Sequence, residues 1–147
     1  MALLEKLNSD LKEAMKAKDP VKTGTLRMLI SEIKYVKIEK MKELDDTDIA
    51  SVIQKAIKSR KDSAEQYTNA NRPELAEKET AEIAVLECYL PKQMDAAEIE
   101  KIVSSVIGEV GAIGGKDMGK VMQKLMPLVK GKADGKLVND IVKKLLG

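Results

Sequence analysis

Lys116–Gly147, KDMGKVMQKLMPLVKGKADGKLVNDIVKKLLG, crowds lysine, glycine and methionine together as no earlier segment of the 147-residue chain does. Read at helical spacing, it resolves into faces. Met118, Val121, Met122, Leu125 and Val129 share one side, while Lys116, Lys120 and Lys124, each four apart, fall on the other, because residues three and four apart stack on one helix face. The methionines read as adaptable core packing. Pro127 is expected to kink or end this helix near its last turn. After the loop from Lys130 to Asp134, a final helix over Gly135 to Leu146 turns Leu137, Ile141, Leu145 and Leu146 inward and Lys136, Asn139 and Lys143 toward solvent. Two short amphipathic helices, each with one apolar face, need other helices to cover them.

The chain upstream supplies such helices. Leu3, Leu4, Leu7, Leu11, Ala14 and Met15 make a helical stripe over 2–18, and Asp19-Pro20 ends it. A second helix is expected over 21–42, with Leu26, Leu29, Ile30, Ile33 and Val36 buried, Ile38 or Met41 as a further buried position, and Gly24 weakening its first turns. Asp46 or Thr47 is placed to cap a third helix carrying Ile49, Val52, Ile53, Ala56, Ile57, Ala64 and Tyr67. Pro73 suits the first position of a fourth, which closes apolar through Ile83, Val85, Leu86 and Leu90.

Pro91 then breaks the helical run, and the composition shifts, since eight of the nine glycines lie between Gly108 and Gly147. Asp95 with Glu98 reads as the capped start of a fifth helix carrying Ile99, Ile102, Val103, Val106 and Ile107. Periodicity predicts an all-α protein of about seven helices in two bundles, residues 1–91 and 92–147.

Composition excludes several chemistries. No histidine and one cysteine, Cys88, leave no His-based general base, no Ser-His-Asp or Cys-His arrangement and no disulfide framework. No metal site or cofactor is expected, and Gly114-Gly115-Lys116 lacks the spacing and the Ser/Thr of a P-loop. Glu77, Glu79, Glu82 and Glu87 are carboxylates with nothing to make an acid/base pair of them. Cys88, among Leu86, Tyr89 and Leu90, reads as a buried inert thiol. The N-terminal stretch, charged from Glu5, reads as neither a secretory signal nor a membrane span, so a cytoplasmic location is expected.

Charge is polarised. Lys116–Gly147 holds eight lysines against three aspartates, a local net of +5, whereas the first 91 residues hold 16 basic and 17 acidic side chains. Lysines on consecutive turns and on the loop suit successive phosphates as mobile point charges. Glycines at 119, 131 and 135 would let a backbone N–H approach a phosphate. The plain alternative is that the lysines solubilise a small bundle and the glycines cap helices. A second basic cluster, Lys55, Lys58, Arg60 and Lys61, reads as solvated surface.

The segments DMGKVMQKLMPLVKGKADGKLVNDIVKKLL, LRMLISEIKY, KSRKDSAEQYTNANRPELAEKE and LECYLPKQM resemble those of the YqeY-type proteins of the GatB/YqeY family, whose tail domain is shared with the B subunit of the glutamine-dependent aminoacyl-tRNA amidotransferase. The resemblance implies a four-helix N-terminal bundle followed by a small three-helix C-terminal tail domain, with a tail that helps hold tRNA. It points to Met118, Gly119, Lys120, Gly131, Lys132, Ala133, Val138 and Asn139. The amidotransferase's catalytic core has no counterpart here, so the carbon–nitrogen ligase (glutamine amido-N-donor) link is one of family and not of visible catalysis.

Two readings of function follow. One is an accessory protein for tRNA or other structured RNA, using Lys116, Gly119, Lys120, Lys124, Lys130, Gly131, Lys132, Lys136 and Asn139. The scarcity of aromatics argues against stacking on single strands, so shape and phosphates would be recognised. The other is an adaptor docking on a translation or amidotransferase component. Neither DNA nor a membrane is an expected partner.

Overall fold

A computed structural model describes residues 2–147 as seven α-helices and one short 3-10 turn, with no strand among the described residues. The helices are α1 (Ala2–Lys16), α2 (Pro20–Lys40), α3 (Asp46–Asn69), α4 (Pro73–Glu87), α5 (Ala96–Val110), α6 (Met118–Val129) and α7 (Gly135–Leu146), with the 3-10 turn at Gly115–Asp117. The chain divides into two compact units, one ending at Leu90 and the other Pro91–Gly147.

Helix ends follow local chemistry. Asp19 accepts from the Lys22 N–H and Pro20 takes the first helical position of α2, where its missing N–H costs no hydrogen bond. The cap of α3 is Asp45, not Asp46 or Thr47: its carboxylate accepts from the Asp48 N–H at 2.7 Å, and Asp48 returns the favour to the Asp45 N–H at 3.2 Å. This reciprocal pair satisfies two exposed donors, which is why the helix begins one residue early. Asp95 caps α5 by accepting from the Glu98 N–H at 2.8 Å. Gly111, left-handed at φ 66°, ends α5.

Each unit has its own core. In the first, Leu7 of α1, Leu26, Leu29 and Ile33 of α2, Ile49 and Ile53 of α3 and Leu86 of α4 are almost wholly shielded. In the second, Ile99, Val103 and Val106 of α5 meet Val121, Leu125 and Val129 of α6 and Val138, Ile141, Val142 and Leu146 of α7. Burying each such side chain contributes about 1.5–3 kcal/mol before the entropy of ordering it is subtracted.

Candidate functional site

Lys116–Asn139 is built around α6. Val121, Leu125 and Val129 are buried, and Met118 and Met122 pack partly buried against the same core. Lys116, in the 3-10 turn, and Lys120 and Lys124, on α6, are thereby turned outward and exposed. Pro127 lies inside α6, which ends two residues later at Val129. Asp117 makes no side-chain cap for α6; its carboxylate instead accepts from the Ile113 N–H at 3.0 Å, closing the turn that delivers Lys116.

The three lysines are not equivalent. Lys124 pairs with Glu109 of α5 at 2.6 Å, both about half exposed, so its charge is partly compensated. Among the described residues Lys116 and Lys120 have no ion-pair partner.

The 130–134 loop is a tight structure. The Lys132 and Ala133 N–H groups both donate to the Val129 carbonyl, at 2.9 and 3.0 Å. Ala133 is buried in the core, and Asp134 caps α7 by accepting from the Leu137 N–H. Gly131 takes the left-handed conformation at φ 77° that a side chain would strain. From the other end of the unit, Gln93 Nε2 donates to the carbonyls of Pro91 and Gly131, at 2.9 and 3.1 Å, and the Met94 N–H donates to the Lys132 carbonyl at 2.8 Å. The segment before α5 therefore holds this loop, a tie that no local sequence signal announces.

These ties sort the site residues named from the sequence. Lys116, Gly119, Lys120, Lys124, Lys132 and Lys136 are exposed, while Lys130 and Asn139 are half-buried. Gly131 is buried, so its glycine serves the turn; Gly119 is open, with nothing within 4 Å of an added Cβ. Ala133 and Val138, carried over from the family motif, are core residues.

Two other expectations change in the first unit. Arg60, read as solvated surface, is 7% exposed and faces Glu82 of α4 at 3.7 Å, because its position on α3 points between helices. Cys88 is exposed, its thiol donating to the Ala84 carbonyl at 3.4 Å, because α4 ends at Glu87 and the chain turns away there. Among the described residues no group of three or more Cys, Asp or Glu is placed to hold a metal ion, and no helix is long and apolar enough to cross a membrane.

A family model described as Yqey-like protein matches residues 4–146. The chain is similar to altered inheritance of mitochondria protein 41, mitochondrial, of Pyrenophora tritici-repentis, 32% identical over 148 residues, covering 99% of this chain and 81% of that protein. The protein of the same name in Lachancea thermotolerans is 39% identical over 107 residues, 71% of this chain and 57% of that one, so the match spans less than two thirds of that relative. Its namesake in Saccharomyces cerevisiae is 29% identical over 147 residues, covering 99% of this chain and 69% of that protein. All three are named as mitochondrial proteins, and this overturns the cytoplasmic expectation. That expectation rested on reading the N-terminal stretch as neither a secretory signal nor a membrane span, which does not determine a compartment.

Proposed function

The chain belongs to the YqeY family, and on that premise we propose that it is an accessory protein that binds tRNA or another structured RNA through the outward lysines of α6 and the 130–134 loop. The reading treats α1–α4 as a four-helix bundle and α5–α7 as a three-helix tail domain that carries the RNA contacts. One observation supports it above the others: with Val121, Leu125 and Val129 of α6 buried, Lys120 on that helix and Lys116 in the turn before it are exposed and, among the described residues, without an ion-pair partner, beside the open backbone of Gly119. Exposed, unpaired ammonium groups keep their full charge for phosphates, and their binding releases counterions.

Lys132, on a loop whose backbone is already held, and Lys136, in the first turn of α7, extend this set, so little ordering entropy is lost on contact. With two per cent aromatic residues and no Trp or Phe, contacts would go to backbone and shape and not to stacked bases. The link to amidotransferases and translation is then one of shared ancestry of the tail, with amide transfer performed elsewhere.

The test is binding of total tRNA across a salt series. The affinity is expected to fall steeply with salt, and Lys120→Glu with Lys132→Glu to flatten the slope by about one unit per lost phosphate contact. Absence of binding at low salt would sink the reading and leave the adaptor alternative, which predicts a specific protein partner indifferent to those reversals.

A further inference from the structure

An outer stripe of α2 is left uncovered. Met28, Tyr35 and Ile38 are 52%, 69% and 75% exposed, at spacings that put them on one side of the helix. Single exposed apolar residues are ordinary. This stripe differs because it borders a groove of about 490 Å³ between α2 and α3. Val36 of α2 and Val52 and Ala56 of α3 contribute its apolar lining, with Tyr35 beside them.

The groove's charges are ordered by wall. Glu32 and Glu39 stand on the α2 side, seven residues or roughly 10 Å apart. Lys55 stands on the α3 side. Among the described residues none of these three has an ion-pair partner, so all remain available to an occupant. Buried Arg60, already facing Glu82, also lines the groove. Two carboxylates against two cations disfavour a free anion or a nucleic-acid backbone, each of which needs one sign of charge.

We propose that this groove docks an amphipathic helix of a partner protein. Its apolar stripe would lie on Val36, Val52 and Ala56, with basic residues along the edge meeting Glu32 and Glu39 and an acidic residue toward Lys55. The length of the acidic wall matches two turns of such a helix, and apolar anchors between opposite charges are the usual reading of helix-in-groove recognition. Tyr35, exposed and with few degrees of freedom to lose, is the expected aromatic anchor. The inference stands independently of RNA binding by the second unit.

Two synthetic helical peptides of about 18 residues test it, long enough to hold two docked turns once stapled. Both carry the same leucine stripe; one has lysines on one edge and glutamates on the other, the second has glutamates on both. The full chain should prefer the mixed peptide, with amide NMR shifts concentrated at Val36, Val52 and Ala56. Glu32→Lys with Glu39→Lys should invert that preference, with changes of about tenfold, and Tyr35→Ala should weaken the mixed peptide. Circular dichroism checks that these exposed positions leave the helices intact. Absence of shifts at those amides up to millimolar peptide, or a preference unchanged by the charge reversal, overturns the proposal. So does a concentration-dependent dimer of the chain that Tyr35→Ala abolishes, since a second copy would then be the occupant.

Discussion

Tyr89 donates its phenolic hydrogen to Asp10 Oδ2 at 2.6 Å, joining side chains 79 residues apart. The bond ties the chain just beyond α4 to the middle of α1. Lys6 completes it, with its ammonium 3.3 Å from the same carboxylate oxygen and 5.7 Å from the centre of the Tyr89 ring. The Tyr89 hydrogen bond is the main reason that the Asp10 carboxyl sits below its ordinary value of 3.8, with Lys6 adding to it against the cost of burial. Burial, and then the bond to Asp10, pushes the Tyr89 phenol above its ordinary value of 10.0.

The signs of these shifts give two pH limits for the first unit. A lowered carboxylate pKa contributes stability that is present above the unfolded value and lost as pH falls through the folded one. A raised phenol pKa contributes stability that is present below about 10 and lost as pH rises further, because the unfolded tyrosine ionises first. Tyr89→Phe is expected to cost about 1 kcal/mol at neutral pH and to flatten both limbs. Urea unfolding at several pH values measures this; an unchanged acid limb in the variant would show that Asp10 draws its stability from elsewhere.

Arg60 and Glu82 predict an asymmetry. Their 3.7 Å separation is an ion pair too long for a hydrogen bond, and Arg60 Nε, buried, makes none. The Arg60 side chain is 9% exposed and Glu82 is 15% exposed. Glu82→Gln leaves the more deeply buried charge uncompensated and is expected to destabilise by about 2–3 kcal/mol. Arg60→Met removes that charge and keeps the packing, so it should cost less. Equal losses in chemical denaturation would mean that the unequal burial of the two groups does not set the cost, and the double variant would then isolate what the pair itself contributes.

Thr25, wholly shielded in α2, has a hydroxyl with no hydrogen-bond partner. Replacing it with valine keeps the β-branched shape and removes the unpaired polar group. Thr25→Val is expected to raise stability by about 1 kcal/mol, read as a higher urea midpoint with an unchanged slope.

Much of the helical framework is legible in residue spacing, and the departures have local causes. Val121, Leu125 and Val129 mark the inward face of α6 without ambiguity because lysines fill the opposite side. In α7 the apolar arc is broader, so adjacent positions carry equal hydropathy. Val138 and Val142 take the buried centre while Leu137 and Leu145 are left half-buried at its edges. Arg60 sits in a run of charges that reads as surface, and only the approach of α4 shows that one of them is enclosed. At the site, exposed Lys116 and Lys120 follow from helical phase. The buried state of Gly131 does not, because Gln93, which holds its carbonyl, is 38 residues away in sequence.

Gly131 and Gly119 should respond oppositely to alanine. At φ 77° a Cβ on Gly131 is strained, and Gly131→Ala is expected to destabilise the second unit by about 1–2 kcal/mol. Gly119 is helical with no atom within 4 Å of an added Cβ, so Gly119→Ala should stabilise α6 by about 0.5–1 kcal/mol. Thermal unfolding distinguishes them. Amide exchange at Lys132 and Ala133 should accelerate in the first variant alone, since their N–H groups depend on that turn.

Glu109 offers a gain-of-binding test of the RNA reading that a merely solubilising role for the lysines would fail. Its carboxylate holds Lys124 at 2.6 Å, with both side chains about half exposed, so the pair adds little to stability. Glu109→Gln should therefore leave the unfolding midpoint nearly unchanged while releasing Lys124 for a phosphate. The expected result is tighter tRNA binding at low salt and a salt slope steeper by about one unit. Adding Lys124→Gln should return the slope to its starting value. If Lys124 serves only to solubilise the helix, neither substitution will move the slope, and the contact surface must lie away from the third lysine of this series.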